Sequence, residues 1–416
     1  MQRLRRLNQR AGRRISLMTT ATLIFVAGIV VGGGAPFAGA DNSPEKTEAY
    51  ATFEQVWEMI QEEYVDPGSI DENALIYGAT TGMVAAVGDT GHTVFIDPQR
   101  AATMDVDLSG DYVGIGVEFD FYGALPRVVM VMENSPAEEA GLEPGDVVSE
   151  IDGVDIWAMP TEEVSNLFTG DEGEAISLTI DREGERAFTV RLKRTRIEID
   201  PVRWWMIGDS IAQLQLYEFT TGSAAQLSQA IDEAKAAGAE SFILDLRNNG
   251  GGLLDELEAV AGLFLPTGTP IYQQEDRDGN RSTIYVEDGT EFDHPLVVLV
   301  NRGTASSAEI TAAAISEAGV GTTVGETTYG TGTGLAIHTF EDGSVLFIGV
   351  VLWLTPSGEQ IWKVGYEPDV QVRLFDPIDR VWPRDGDHLT LDALDASNDT
   401  QLQRAVRLLS GAPARR

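Results

Sequence analysis

The stretch from Leu296 to Leu335 reads LVVLVNRGTASSAEITAAAISEAGVGTTVGETTYGTGTGL. Its unbroken apolar run, residues 296–300, is the pattern of a strand covered on both faces, as in a parallel sheet. Asn301, Arg302 and Gly303 supply a polar turn, and small and apolar residues then recur at helical spacing over residues 306–318. Where a strand turns sharply into a helix, the first helical N–H groups lack internal partners and carry positive potential. A serine there has two readings. Ser306 or Ser307 caps the helix, with Glu309 closing a capping box. Alternatively the hydroxyl is a nucleophile whose oxyanion would face those N–H groups.

Working outward, the flanking sequence alternates strand and helix. Residues 211–216 and 241–246 read as strands, and residues 223–237 and 254–264 as helices. The second strand delivers Asp245-Leu246-Arg247-Asn248-Asn249-Gly250-Gly251-Gly252-Leu253-Leu254. Residues 284–286 and 345–352 add strands, Thr355-Pro356-Ser357-Gly358 a turn, and residues 361–370 (IWKVGYEPDV) are expected to close the core. A last helix is expected at 400–409. The run Gly330–Gly334 lacks a phosphate-binding lysine and lies in acidic surroundings, so it reads as a turn.

Closer to the N-terminus the texture differs. Residues 1–14 carry six Arg, residues 15–40 are uncharged and end in Ala38-Gly39-Ala40, and Asp41 follows. This is the layout of a secretory signal or membrane anchor, and it points to an exported, envelope-located protein. Two helices are expected at 50–65 and 72–87, followed by a Gly-flanked loop that contains His92. Residues 112–119 (YVGIGVEF) and 127–132 read as strands. They lead to Ser135-Pro136-Ala137-Glu138-Glu139-Ala140-Gly141-Leu142 and to Gly145-Asp146-Val147-Val148-Ser149-Glu150-Ile151-Asp152-Gly153. A helix at 161–168 and strands at 175–180 and 187–192 complete the unit. It resembles a PDZ domain. The resemblance implies that the loop Tyr112-Val113-Gly114-Ile115-Gly116-Val117 offers backbone N–H groups to a peptide's terminal carboxylate, while the peptide adds to a strand edge.

Composition narrows the alternatives. The net charge is −37, and without residues 1–40 there are 23 Lys and Arg against 66 Asp and Glu, a net −43. Such a body repels nucleic acid and anionic lipid, so neither is an expected partner. With no Cys, disulfides and thiol chemistry are excluded, and four scattered His give no zinc-like spacing. No cofactor or metal is expected.

The ordered set DLRNNGGGLL, VVLVNRGTASSAEI, VGETTYG, LTPSG and GYEPDV, with a PDZ unit inserted before it, resembles the carboxyl-terminal processing peptidases, the tail-specific serine proteases. The resemblance implies an α/β (α+β) multidomain chain. Its parts would be a signal or anchor (1–40), a helical N-terminal region (45–100), a PDZ domain (101–195), a crotonase-like, ClpP-related core (196–375) and a C-terminal segment (376–416). It implies a serine endopeptidase acting on proteins or peptides with unstructured C-termini.

Residue by residue, the resemblance places the nucleophile on Ser306 and the oxyanion donors on the backbone of Ser307 and of Gly251 or Gly252. Gly250 stands where the family usually has proline. Thr331 stands at the family's lysine base and Leu335 at its supporting glutamine. A hydroxyl such as that of Thr331 holds its proton too strongly to serve as base near neutral pH. His92 is the expected base, at the position where the tricorn-like branch carries the histidine of a Ser-His-Glu triad. Glu326 and Glu367 are candidates to orient it, and Lys363 is an alternative base if buried on the closing strand, the competing reading being a lysine that snorkels to solvent between Trp362 and Val364. His294, at a strand entrance, and His338, in a strand, read as structural, and His388, in an acidic loop, as exposed. The competing reading is a peptidase scaffold that has lost its base and binds peptides through its PDZ domain.

Overall fold

All five side chains of Leu296–Val300 are at most 4% exposed, which requires cover on both faces of the sheet. The computed structural model describes residues 47–411 except 90–91, 104–111, 122, 158, 160, 169, 198–199 and 383–387. In it the strand lies inside a six-stranded sheet. The order is Val202–Ile207, Ile211–Leu216, Ser241–Asp245, Leu296–Val300, Gly321–Gly325 and Val370–Gln371. The first pair is antiparallel and every later pair is parallel.

Alternate side chains leave a strand on opposite faces. Leu296, Val298 and Val300 share a core with helices Ser223–Ala236, Leu254–Phe264 and Ser307–Glu317. Val297 and Leu299 face the other way, against Leu402, Ala405 and Val406 of helix Thr400–Leu409. At about 1.5–3 kcal/mol per buried Leu or Val, these contacts fix the three-layer order. A second sheet runs Val94–Ile96, Val345–Leu354, Pro270–Asp276, Arg281–Tyr285, with Thr333–Thr339 also paired to Val345–Leu354. It therefore joins the segment just after His92 to the segment just after Thr331.

The PDZ unit has its own sheet, ordered Val117–Asp120, Arg127–Val131, Val147–Ile151, Ala175–Asp181 and Phe188–Lys193. Its separate core includes Val128, Val148, Ile156, Leu178 and Phe168. Arg127 donates to both carboxylate oxygens of Asp376, at 2.9 and 2.7 Å. Glu118 accepts from Arg380 Nη2 and from Asn248 Nδ2. The last contact ties the PDZ strand to the loop after Asp245.

Some expectations need correction. The expected strand 112–119 is two strands: Tyr112–Gly114 pairs with Thr195–Ile197, while Val117–Asp120 joins the PDZ sheet. Gly116 breaks it, with φ 78° and Ser135 packed where a Cβ would stand. Residues 361–370 are a turn at 362–364 followed by irregular chain, with only Val370–Gln371 in a strand, and the expected turn Gly330–Gly334 gives way to a strand at Thr333. The N-terminal helices are Glu48–Glu63 and Glu72–Ala85. The expected signal, residues 1–40, lies outside the described residues, and among the described residues no helix is long and apolar enough to cross a membrane.

Candidate active site

Three neighbouring parallel strands, Ser241–Asp245, Leu296–Val300 and Gly321–Gly325, end at the same level, with Asp245 opposite Leu299 and Val300 opposite Gly325. Their following loops must therefore meet at the carboxyl edge of the sheet, the usual position for a site in an open α/β fold. These loops are 246–253, 301–306 and 326–332, and each carries a residue singled out from the sequence.

The first loop is held from beneath. Arg247 is 2% exposed and pairs with Asp245 at 2.7 Å and with Asp399 at 2.9 Å. Asn249, fully buried, donates to Leu216 O at 2.8 Å, and its Oδ1 accepts from Gly251 N–H at 2.8 Å. That bond occupies the Gly251 donor. The N–H groups of Gly252 and Ser307 donate to no other described residue. Gly251 has φ 99°, and a Cβ there would lie 2.6 Å from Ser306 Cβ and 2.9 Å from Ser307 N. Only glycine brings the two loops this close while leaving the space before Ser307 N–H open.

Ser306 stands at the entrance to helix Ser307–Glu317 with φ 55° and ψ −124°. An N-cap serine ordinarily has extended backbone, and a left-handed φ on a non-glycine residue costs about 1–3 kcal/mol. Ser306 and Glu309 keep the capping-box arrangement read from the sequence, yet the buried Ser306 Oγ makes no hydrogen bond of good geometry among the described residues. Ser307 behaves differently: its Oγ donates to Gly252 O at 3.0 Å.

Glu309 turns back toward this point, as the sequence suggests, but does more than cap. Its Oε2 accepts from Ser306 N–H and Thr331 N–H, each at 2.8 Å. Its Oε1 accepts from Gly330 N–H at 2.8 Å and from the Thr328 hydroxyl. Two nitrogens that share one oxygen at 2.8 Å are at most twice that distance apart, so the backbones of Ser306 and Thr331 are neighbours. Burial pushes the Glu309 carboxyl up to about 7, against the four donors that favour its charge. The role in joining two loops was not visible in the sequence; the only sign was its place three residues after Ser306.

Thr331 is 4% exposed, and its Oγ1, like Ser306 Oγ, has no partner among the described residues. Two residues on, Thr333 Oγ1 lies 2.9 Å from His92 Nδ1 and 3.4 Å from Asp89 Oδ2. His92 is 4% exposed, and burial lowers its pKa while the nearby Asp89 carboxylate works in the opposite direction. Asp89 also accepts from Thr93 Oγ1 at 2.7 Å and from Trp362 Nε1 at 3.0 Å. It is the acid beside His92, and its place three residues earlier in the same loop was the available signal. Glu326 instead pairs with Arg302 at 3.5 Å and Glu367 accepts from Gln371 at 2.8 Å.

Lys363 is not on a strand and is not buried. It is exposed, has φ 63°, and its Nζ lies 4.2 Å from the Trp362 ring centroid. The Trp362 face gives the ammonium a favourable resting place in solvent, so the snorkelling reading holds and the buried, neutral lysine does not form. His294 packs on Phe242 and Phe292 and His388 is exposed, as expected, but His338 is also exposed rather than structural, on the outer part of strand Thr333–Thr339. Among the described residues no group of three or more His, Cys, Asp or Glu is placed to hold a metal ion.

Sequence comparison gives the same picture. The profile of peptidase family S41 matches residues 210–372, and a PDZ domain profile matches residues 127–182. The chain is 31% identical over 360 residues to the carboxy-terminal processing protease CtpA of Bacillus subtilis (strain 168), covering 86% of this chain and 77% of that one. It is 31% identical over 369 residues to a carboxyl-terminal-processing protease of Synechocystis sp., covering 86% and 82%. Among solved structures, a photosystem II D1 C-terminal processing protease superposes with a TM-score of 0.56 at 28% identity, covering 80% of this chain and 95% of that one. With the parallel-sheet core, the inserted PDZ unit and three loops meeting at Ser306, this chain belongs to the carboxy-terminal processing serine proteases of peptidase family S41.

Proposed function

We propose that this chain is an exported endopeptidase that captures unstructured C-terminal tails through its PDZ domain and cleaves through an acyl-enzyme on Ser306. The observation that carries the assignment is Ser306 itself: a buried, unpartnered hydroxyl on a strained turn, beside an unengaged N–H and against a glycine that permits close approach. Ser306 Oγ attacks the scissile carbonyl carbon and gives its proton to the base. The tetrahedral oxyanion is held by the N–H groups of Ser307 and Gly252. Collapse expels the amine, which takes that proton, and water then releases the acyl group.

His92 is the proposed base. With the Thr333 proton directed to Asp89, the Thr333 oxygen accepts from His92 Nδ1–H, which leaves Nε2 as the basic nitrogen. Burial keeps the ring neutral near pH 7, the form a base requires. In this state Ser306 Oγ bonds to no described residue, so His92 engages it only after a movement of the loops, as catalytic hydrogen bonds often tighten on substrate binding. The apolar, arginine-led N-terminal 40 residues support export and an envelope location.

A second reading, a peptide-binding member without turnover, has one specific support: Thr331 stands where the family has its lysine. The test is cleavage of an unstructured protein with an apolar C-terminus by the wild-type chain and by Ser306→Ala. Cleavage abolished by the substitution supports the peptidase reading. Equal cleavage by both would remove Ser306 from the mechanism, and tail binding without cleavage by either would favour the binding module.

A further inference from the structure

A cavity of about 310 Å³ opens in the PDZ unit just beyond the end of strand Val117–Asp120 and beside helix Thr161–Phe168, lined by Phe121, Leu125, Pro126, Trp157, Met159 and Val164. Its inner wall belongs to the PDZ core: Val164 is 4% exposed, and Phe121, Leu125 and Met159 pack against the same cluster. Trp157 at its rim is 65% exposed. An indole left in water beside an open apolar hollow is a poor arrangement for an isolated domain and a good one for gripping an apolar side chain.

Its place beyond the end of strand Val117–Asp120 says which side chain. Strand Val117–Asp120 is an edge strand, paired on one side only, with Arg127–Val131. At its start the N–H groups of Ile115 and Gly116 donate to no described residue, and Gly116 adopts φ 78°. A terminal carboxylate held there starts a peptide antiparallel to the strand, with its last residue opposite Val117. One peptide residue then matches one strand residue, so the fifth residue from the C-terminus lies opposite Phe121. Side chains of the last, third and fifth residues leave on the same face. The fifth is the first of these to reach the cavity beyond Asp120.

We propose that this cavity is a specificity subsite for an apolar side chain at the fifth position from the C-terminus of a substrate tail. This rests on the reading that the PDZ domain captures free C-terminal tails. It adds a requirement internal to the tail, so an apolar terminus alone does not give the tightest binding.

The test uses the full chain carrying Ser306→Ala, to prevent turnover, and fluorescein-labelled ten-residue peptides of one common sequence. Leu at the fifth position from the C-terminus is expected to bind about tenfold more tightly than Gly there, the gain from burying one such side chain. Moving that Leu to the sixth position is expected to lose the gain. Trp157→Ala, at an exposed site, is expected to bring the Leu peptide to within about twofold of the Gly peptide and leave the Gly peptide unchanged. Equal affinity of the Leu and Gly peptides overturns the subsite while leaving tail capture standing. Equal binding of a C-terminally amidated peptide overturns the carboxylate register on which the position depends. Absence of binding by every free-acid peptide overturns tail capture and the subsite together.

Discussion

Glu309→Gln separates the two things a buried carboxylate can do at this site. Glu309 accepts four hydrogen bonds, two at each oxygen. An amide keeps one oxygen, so one pair of donors loses its acceptor and faces an NH₂ group. Two unsatisfied buried donors cost roughly 2–6 kcal/mol together. Against this, the substitution removes a charge whose burial raises the carboxyl from 4.5 to about 7, a penalty of about 3 kcal/mol above pH 7. The terms largely offset, so the change in stability is expected to stay below about 3 kcal/mol.

Positioning has no such offset. The carboxylate fixes the Ser306 turn relative to the Thr331 loop, and a displacement near 1 Å at a nucleophile costs about 100-fold in rate. Acylation by a chromogenic ester is therefore expected to fall about 100-fold at pH 8, with urea unfolding of the core little changed.

The pH dependence has a definite sign. A carboxyl raised in the folded protein binds more protons than in the unfolded chain between about pH 4.5 and 7. Its stabilising contribution is thus fully present below about pH 4.5 and lost as pH rises through about 7. The neutral Gln variant is expected to lack that slope. An acylation rate within twofold of wild type would refute the positioning role.

Other substitutions probe the neighbouring parts. Gly251→Ala is expected to reduce cleavage by at least about 100-fold, because its Cβ would lie 2.6 Å from Ser306 Cβ at a φ of 99°; cleavage above a tenth of wild type contradicts the close-approach argument. His92 carries a depressed pKa, so the folded protein binds fewer protons than the unfolded chain below about pH 6.5, and stability falls as pH drops through that range. His92→Gln is expected to flatten this limb in pH-dependent urea titrations and to abolish ester acylation. Retained acylation would assign the base elsewhere.

The apolar run at residues 296–300 announced a strand buried on both faces, and the two-way burial of Leu296–Val300 follows from it. The Ala-rich helix after it was equally legible, ending one residue short of the expected 318, at Glu317. Strand Gly321–Gly325 and the start of Thr333–Thr339, a strand legible only around His338, are hidden because Gly- and Thr-rich composition is shared by turns, and only pairing with Leu296–Val300 and Val345–Leu354 makes them strands. Val202–Ile207 and Pro270–Asp276 also went unread.

At the site, the sequence located Ser306 and the glycine turn but not what surrounds them. The roles of Asn249, Glu309 and Asp89 depend on partners at Leu216, Thr331 and Thr333, which only the fold brings near. Of the two readings of Lys363, a buried base on a closing strand or a side chain that snorkels between Trp362 and Val364, the structure takes the second: its left-handed backbone turns it out onto the Trp362 face.

The most direct test of the central claim is covalent. The wild-type chain is treated with a fluorophosphonate probe at pH 8 in the presence of a tail peptide, and the adduct is mapped by mass spectrometry. The expected result is a single adduct on Ser306 that is lost in Ser306→Ala. A wild-type chain that binds the tail peptide yet forms no adduct, or forms it on another serine, would contradict the account.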